Sequence, residues 1–284
     1  MNCKIPKVSI IILNYNTWGE TIEEIKNIEA TLSYDNLDVI IVDNCSTNDS
    51  FEKIKTYIKS NSLVYKYRLV KSEKNAGYAS GNNIGIKESI KGKADYSLII
   101  NNDILFTSAD TIEKLVQSFE SDATLGAVSP RIISPDGTHD KPIYYRKPSF
   151  WDMSFGIRGF VKSIQKQNDE QVYKVYAPRG SCMLLKNELL QRIGFLDEFT
   201  FLYYEEPILA EKSLMINKVT LNLGTVCVIH NHAKTIKNNI SRKVNRKIVV
   251  QSMDYYLRQY RGFNLIQRYI CRIIRKYAYI VSHK

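Results

Sequence analysis

Along the first hundred residues, short apolar blocks alternate with amphipathic ones. Val8-Ser9-Ile10-Ile11-Ile12-Leu13 is a nearly continuous run rich in β-branched residues. Such a run predicts a strand covered on both faces, as in a parallel sheet. A helical pattern spans about Thr21 to Leu32, and a second buried strand, Val39-Ile40-Ile41-Val42, ends in Asp43-Asn44-Cys45-Ser46. The pattern then predicts a helix over 50–60, a strand over 67–70, a helix from Gly81 to Ser89, and a strand at Ser97-Leu98-Ile99-Ile100 that ends in Asn101-Asn102-Asp103. The order β-α-β-α-β-α-β describes a Rossmann-like open sheet. Ligands of such sheets sit beyond the carboxyl ends of the strands, where Asn14, Asp43 and Asp103 fall. Further along, 150–170 lacks a period and reads as a mobile loop. Strands are expected at 173–176, 183–185, 219–223 and 226–230, with helices over 186–193 and from Pro207.

At 284 residues and 44% apolar composition, the chain can bury a large α/β core. Cys3, Cys45, Cys182, Cys227 and Cys271 are scattered without paired spacing. With no leader-like segment at the start, they point to a reducing compartment. No stretch reaches the length of an apolar membrane span. The charge is concentrated: residues 241–284 hold eleven Lys and Arg against one acid, Asp254, which accounts for nearly all of the net +11. A nucleic-acid binder usually weaves its basic patch into the fold, whereas here a nearly neutral domain carries a basic tail. No nucleic acid is expected as a partner.

Several nucleotide sites are excluded. After the first strand comes Asn14-Tyr15-Asn16-Thr17-Trp18-Gly19, without the glycines of a dinucleotide fingerprint or the lysine of a P-loop. Asp43 could accept hydrogen bonds from a base or ribose, or could simply cap the following helix. In Asn75 to Gly85, the glycines Gly77, Gly81 and Gly85 permit close backbone approach, and amides at a helix start can hold sugar or phosphate oxygens. Asp103 could hold Mg²⁺ or Mn²⁺, which takes one or two protein carboxylates plus substrate oxygens, or could end the strand in a turn.

These segments together resemble the family 2 glycosyltransferases of the GT-A fold, particularly their rhamnosyltransferase-like branch. The resemblance continues through Arg179-Gly180-Ser181-Cys182-Met183, Gly194-Phe195-Leu196-Asp197-Glu198, Tyr203-Tyr204-Glu205-Glu206 and Val228-Ile229-His230-Asn231-His232, so that it spans about residues 7–235 in order. It implies an α/β GT-A fold with a Rossmann-like nucleotide-binding half, a mixed central sheet and a C-terminal basic helical extension. The boundaries expected are 1–240 for the transferase, divided at about 105 into nucleotide-sugar and acceptor halves, and 241–284 for the tail. The implied activity is inverting, metal-dependent transfer of a hexose, dTDP-rhamnose being the first donor and UDP-hexoses the next, to a hydroxyl of a glycan or lipid-linked glycan. The products would be capsule or O-antigen polysaccharides.

The resemblance also assigns roles. Asn14, Asn16, Asp43, Asn44, Asn75, Gly77, Tyr78, Asn82, Asn101 and Asn102 would surround the nucleotide-sugar. Asp103 would hold Mg²⁺ or Mn²⁺ with His230 closing the site, and Glu206, beside Glu205, would be the general base. Pro207 would place Glu206 at a helix N-cap. Asn101 stands where the family's metal motif carries its first acid, and Ile208 and Lys212 replace an Asp and an Arg of the family pattern. These departures leave room for a non-catalytic glycan-binding partner of another transferase. In the tail, aromatic and aliphatic residues from Tyr255 to Tyr277 alternate with arginines at helical spacing. Such a segment either lies on an anionic membrane surface, which would put the protein peripherally on the inner face of a bacterial cell membrane, or packs on the catalytic domain with its basic face solvated.

Overall fold

The computed structural model describes residues 4–138, 144–155, 171–231 and 241–281. In order, the elements are β1 (Val8–Asn14), α1 (Trp18–Thr31), β2 (Leu37–Asp43), α2 (Ser50–Ser60), β3 (Lys66–Lys71), α3 (Tyr78–Lys91), β4 (Tyr96–Asn101), β5 (Ile104–Phe106), α4 (Thr111–Ser121) and β6 (Leu125–Ile133). They continue with α5 (Phe150–Phe155), β7 (Val172–Val175), β8 (Cys182–Lys186), α6 (Asn187–Arg192), α7 (Glu205–Leu214), β9 (Val219–His230), α8 (Arg242–Gln259) and α9 (Leu265–Val281).

The strands form a mixed sheet in the order β3-β2-β1-β4-β8-β6-β9-β5, with β7 added on β9. The first four are parallel, and the predicted continuous apolar runs are buried on both faces: Ile10, Ile11, Ile12, Val39, Ile40, Ile41, Leu98 and Ile99 are inaccessible. β8 joins β4 antiparallel and carries the sheet into its second half. Gly81 and Gly85 lie where α3 crosses β1; a Cβ on either would collide with the side chain of Leu13 or Ile11. These two glycines therefore serve helix–sheet packing rather than approach to a ligand.

The sequence pattern leaves β5 and β6 unannounced. β5 has three residues, too few for a period, while Gly126 and Pro130 interrupt β6 and coincide with register shifts against its neighbours. The two strands expected at 219–223 and 226–230 are one strand, β9. The segment expected as a loop from Phe150 begins as the helix α5, and 156–170 lies outside the described residues.

The C-terminal helices are docked on the domain. Tyr256, Leu257, Met253 and Cys271 form one buried cluster with Met153, Tyr204 and Ile208, drawn from α5 and the start of α7. Beneath it runs a buried polar chain. Glu211 Oε1 accepts from Tyr176 Oη at 2.6 Å and pairs with Arg261 Nε at 3.2 Å, Glu211 Oε2 pairs with Lys147 Nζ at 2.7 Å, and the hydroxyls of Tyr176 and Tyr256 are 2.8 Å apart. Among the described residues, no helix is long and apolar enough to cross a membrane.

Candidate active site

Parallel register sets the floor of the site. Asn14 at the end of β1 lies beside Asp43 at the end of β2, and Leu13 lies beside Asn101 at the end of β4. Asn14 Nδ2 donates to Asp43 Oδ2 at 2.8 Å and its Oδ1 accepts from Thr21 Oγ1 at 2.9 Å. The backbone N–H of Ser46 donates to Asp43 Oδ1 at 3.0 Å. Asn102 Nδ2 donates to Thr17 Oγ1 at 2.7 Å and Thr21 Oγ1 at 3.0 Å.

Asn14 and Asp43 are fully buried, and the oxygens of Asp43 hold the strand-end turns in place. Asn82 is likewise buried inside α3, its amide donating to Tyr78 O. Thr17, the N-cap of α1, and Thr21, one turn further along it, are the partners that sequence reasoning missed.

Other expected nucleotide-sugar residues lie in the loops that follow these strands. Asn16 adopts a left-handed conformation, φ 61°, and its Oδ1 accepts from Thr47 N at 2.8 Å. Asn44 Nδ2 donates to Asn75 Oδ1 at 3.0 Å, whereas the buried Asn44 Oδ1 has no hydrogen-bond partner among the described residues. Gly77 has φ 98°, and any Cβ there would strike the backbone of Phe201. Tyr78 N donates to Phe201 O at 2.9 Å, which pins the 75–78 loop to the segment leading into α7.

Antiparallel pairing of β5 with β9 puts Ile104 opposite His230 and brings Asp103 Oδ1 to 3.1 Å from His230 Nε2. Asn101 Nδ2 lies 3.5 Å from the same nitrogen. Asp103 Oδ1 is buried and accepts no hydrogen bond among the described residues. One carboxylate and one imidazole suit a hard cation that takes its remaining ligands from a diphosphate, and no cluster of three or more such side chains occurs among the described residues. His232 lies outside them. Behind Asp103, both carboxylate oxygens of Glu24 are buried and accept no side-chain hydrogen bond among the described residues. Burial first, and the charge of Asp103 second, push the Glu24 carboxyl well above the usual carboxylate range. Its signal in the sequence is an acid on the inward stripe of α1, among Thr21, Ile25 and Ile28.

The glutamate pair opens α7. The helix begins at Glu205, with Tyr204 as its N-cap, so the expectation that Glu206 caps it is corrected: Glu206 and Pro207 both lie within the first turn. Tyr203 and Tyr204 carry φ 72° and 71°, two successive left-handed residues without glycine. Such strain is costly and persists only where the surroundings enforce it; here Tyr204 is buried in the cluster with Tyr256.

Glu205 is buried, and its Oε1 has no hydrogen-bond partner among the described residues. Burial first, then the neighbouring Glu206 carboxylate, pushes its pKa from the ordinary 4.5 up to about 8. Glu206 is half-buried, and its Oε1 accepts from Gly180 N at 3.3 Å. A Cβ at position 180 would come within 2.6 Å of that oxygen, which explains the glycine. Tyr78 Oη donates to Gly180 O at 2.5 Å, and Asn101 N donates to Ser181 O at 2.9 Å. The Gly180–Ser181 turn thus ties the Glu205–Glu206 pair to the end of β4, beside Asp103 and His230.

Comparison with known proteins places this geometry. The chain is 27% identical over 237 residues to the low-salt glycan biosynthesis hexosyltransferase Agl10 of Haloferax volcanii, covering 81% of this chain and 70% of that one. It is 26% identical over 121 residues to the glycosyltransferase GlyG of Streptococcus pneumoniae, covering 42% and 38%. In fold it resembles GalNAc-T7, solved with UDP, GalNAc and Mn²⁺, at a TM-score of 0.66 and 16% identity; the match covers 90% of this chain and about half, 48%, of that one. It also resembles the mannosyltransferase PcManGT of Pyrobaculum calidifontis, solved with GDP-Man and Mn²⁺, at a TM-score of 0.59 and 17% identity, covering 98% and 76%. The mixed sheet is that of the GT-A glycosyltransferases. With the profile of Glycosyl transferase family 2 matching residues 9–194, the chain belongs to that family.

Proposed function

We propose that the protein is an inverting hexosyltransferase that moves a sugar, rhamnose first, from a nucleoside diphosphate to a hydroxyl of a glycan or lipid-linked glycan in surface polysaccharide synthesis. The observation that carries this reading is the pair Glu205–Glu206, tied through Gly180 and Ser181 to the strand end bearing Asp103 and His230. One-step inversion needs a base on the acceptor side and charge stabilisation on the leaving-group side. Residues 1–240 supply both, and 241–284 support the helix that carries the base.

Glu206 accepts the proton of the acceptor hydroxyl. The oxygen so freed bonds to the anomeric carbon as the bond from that carbon to the diphosphate oxygen breaks. The Gly180 N–H holds one Glu206 oxygen and leaves the other for the acceptor. With its pKa pushed up to about 8, Glu205 keeps its proton at neutral pH and spares the pair a second negative charge. On the donor side, the nucleotide-sugar is assigned to the strand ends and loops that carry Asn16, Asp43, Asn44, Asn75, Gly77, Tyr78 and Asn101. Asp103 and His230 would hold Mg²⁺ or Mn²⁺, which when bound neutralises charge on the departing diphosphate.

The relative from Haloferax volcanii, named as a hexosyltransferase of glycan biosynthesis, supports the hexose and glycan parts of the reading. The neighbours solved with UDP or GDP-Man and Mn²⁺ support the donor class and the cation. A lipid-linked acceptor would put the enzyme at the inner membrane surface.

The test is a thermal-shift screen of dTDP-rhamnose, UDP-hexoses and GDP-mannose, each with and without Mn²⁺. The donor should raise Tm through mass action, and more so with the cation. Transfer from that donor to a glycan acceptor should give product of inverted anomeric configuration by NMR. Retained configuration, or no shift with any nucleotide-sugar, would overturn the reading.

A further inference from the structure

The outward faces of α5 and α9 carry an apolar surface that is left exposed among the described residues. α9 runs along α5, and both turn one side inward. Met153 and Ser154 of α5 are buried, as is Cys271 of α9, and Ser154 Oγ is 3.4 Å from Cys271 Sγ. The opposite sides are open. Trp151 and Phe155 are each 64% exposed and stack on one another at 5.8 Å. On α9, Leu265, Ile266, Tyr269 and Ile273 are exposed; at 100° per residue they share one narrow stripe. Scattered exposed apolar side chains are ordinary, but neighbouring large ones with two aromatics at the surface mark a binding face.

The charge of the two C-terminal helices selects the occupant. Arg272 is exposed and flanks the α9 stripe, and Lys243, Lys247 and Arg258 are exposed along one side of α8. The single acid of the two helices, Asp254, is paired with Arg268 at 2.6 Å. A second copy would bring an equally basic helix pair against this one and be repelled. A surface of anionic lipid answers both features: its phosphates attract the lysines and arginines, and its acyl boundary accepts the aromatic and aliphatic side chains.

We infer that the α5–α9 face seats the protein on anionic lipid, with Trp151, Phe155 and the Leu265–Ile273 stripe entering the headgroup boundary. This deepens the reading of a lipid-linked acceptor and rests on it for biological sense, but its chemistry is separable. The contact is a tertiary surface rather than a detached tail, because the helices that carry it are also packed on the domain.

The test compares wild type with Trp151→Ser/Leu265→Ser/Tyr269→Ser by sedimentation with vesicles of phosphatidylcholine alone or mixed with phosphatidylglycerol. All three positions are solvent-facing, so circular dichroism and Tm should be unchanged. Wild type should partition onto the mixed vesicles and much less onto phosphatidylcholine. Raising salt should weaken binding, leaving a resistant fraction due to the apolar contacts. The variant should lose about tenfold or more of its partitioning at equal charge. Equal sedimentation of a folded variant, or a wild type that ignores the mixed vesicles at low salt, overturns the inference. So does a wild-type dimer, seen by ultracentrifugation, that the variant abolishes, since a second copy would then cover the face. Donor-induced thermal shift is read on the same samples: vesicle binding without any donor shift defeats the transferase reading and leaves this one standing.

Discussion

Replacing Glu205 with Gln tests the proton assigned to the glutamate pair. In the folded protein the carboxyl is buried beside Glu206 and its pKa stands at about 8, against an ordinary 4.5. The folded state therefore binds this proton more tightly than the unfolded chain does. Stability from the protonated form is fully present below about pH 4.5 and is lost as pH rises toward 8. Between those limits, one proton's difference corresponds to about 1.4 kcal/mol per pH unit at most. Glutamine keeps the shape and cannot ionise, so the stability difference between Glu205→Gln and wild type should move in the variant's favour as pH rises. Urea melts from pH 5 to 8, with m held constant as a control, would measure it. At pH 5 the two proteins should be nearly equal, and by pH 8 the variant should be more stable by a few kcal/mol. A difference that stays flat over that range would refute the burial argument and, with it, the division of labour in which Glu205 holds the proton and Glu206 takes one from the acceptor.

Glu206→Gln should bind donor normally by thermal shift yet lose about 10²- to 10⁴-fold in kcat, as expected for a missing general base; if Glu205→Gln is the inactive variant instead, the roles within the pair are reversed. Asp103→Ala should fold, abolish the Mn²⁺-dependent part of the donor thermal shift, and cost about 10²-fold or more in transfer, an outcome contradicted by full wild-type activity in excess EDTA. Truncation after Ile240 should unfold the protein or lower its Tm sharply, because it removes Met253, Tyr256, Leu257 and Cys271 from a buried cluster and strips Arg261 from Glu211; a truncated chain with unchanged Tm would show that the C-terminal helices contribute no stability.

Legibility in the sequence followed the physics of each segment. The parallel half could be read because strands covered on both faces are written as unbroken β-branched runs, as at Ile10-Ile11-Ile12 and Val39-Ile40-Ile41-Val42. The second half was harder, because β6 carries a glycine and a proline at its irregularities and β5 is too short to show a period. In the site, residue type gave the chemistry but not the direction of each side chain. Asn14 and Asp43 look like ligand groups at strand ends, yet they answer each other across adjacent strands in register. Glu24 falls on the inward stripe of α1, but that this stripe meets β5 and buries the carboxylate behind Asp103 is shown only by the fold.

The C-terminal helices show why composition alone misleads about a tail. Their charge is visible in sequence, whereas their docking depends on partners far away along the chain: Tyr256 meets Tyr176, and Arg261 meets Glu211 and Pro148. Those partners are a tyrosine, a glutamate and a backbone carbonyl, with no local pattern. The consequence reaches the chemistry, because Glu211 stands on the same helix as Glu205 and Glu206, and Tyr204, whose left-handed backbone starts that helix, packs against Tyr256. The first turn of α7 is thus held from behind by the basic helices, and the direction in which Glu206 faces the acceptor depends on a segment that its composition alone would assign to the membrane.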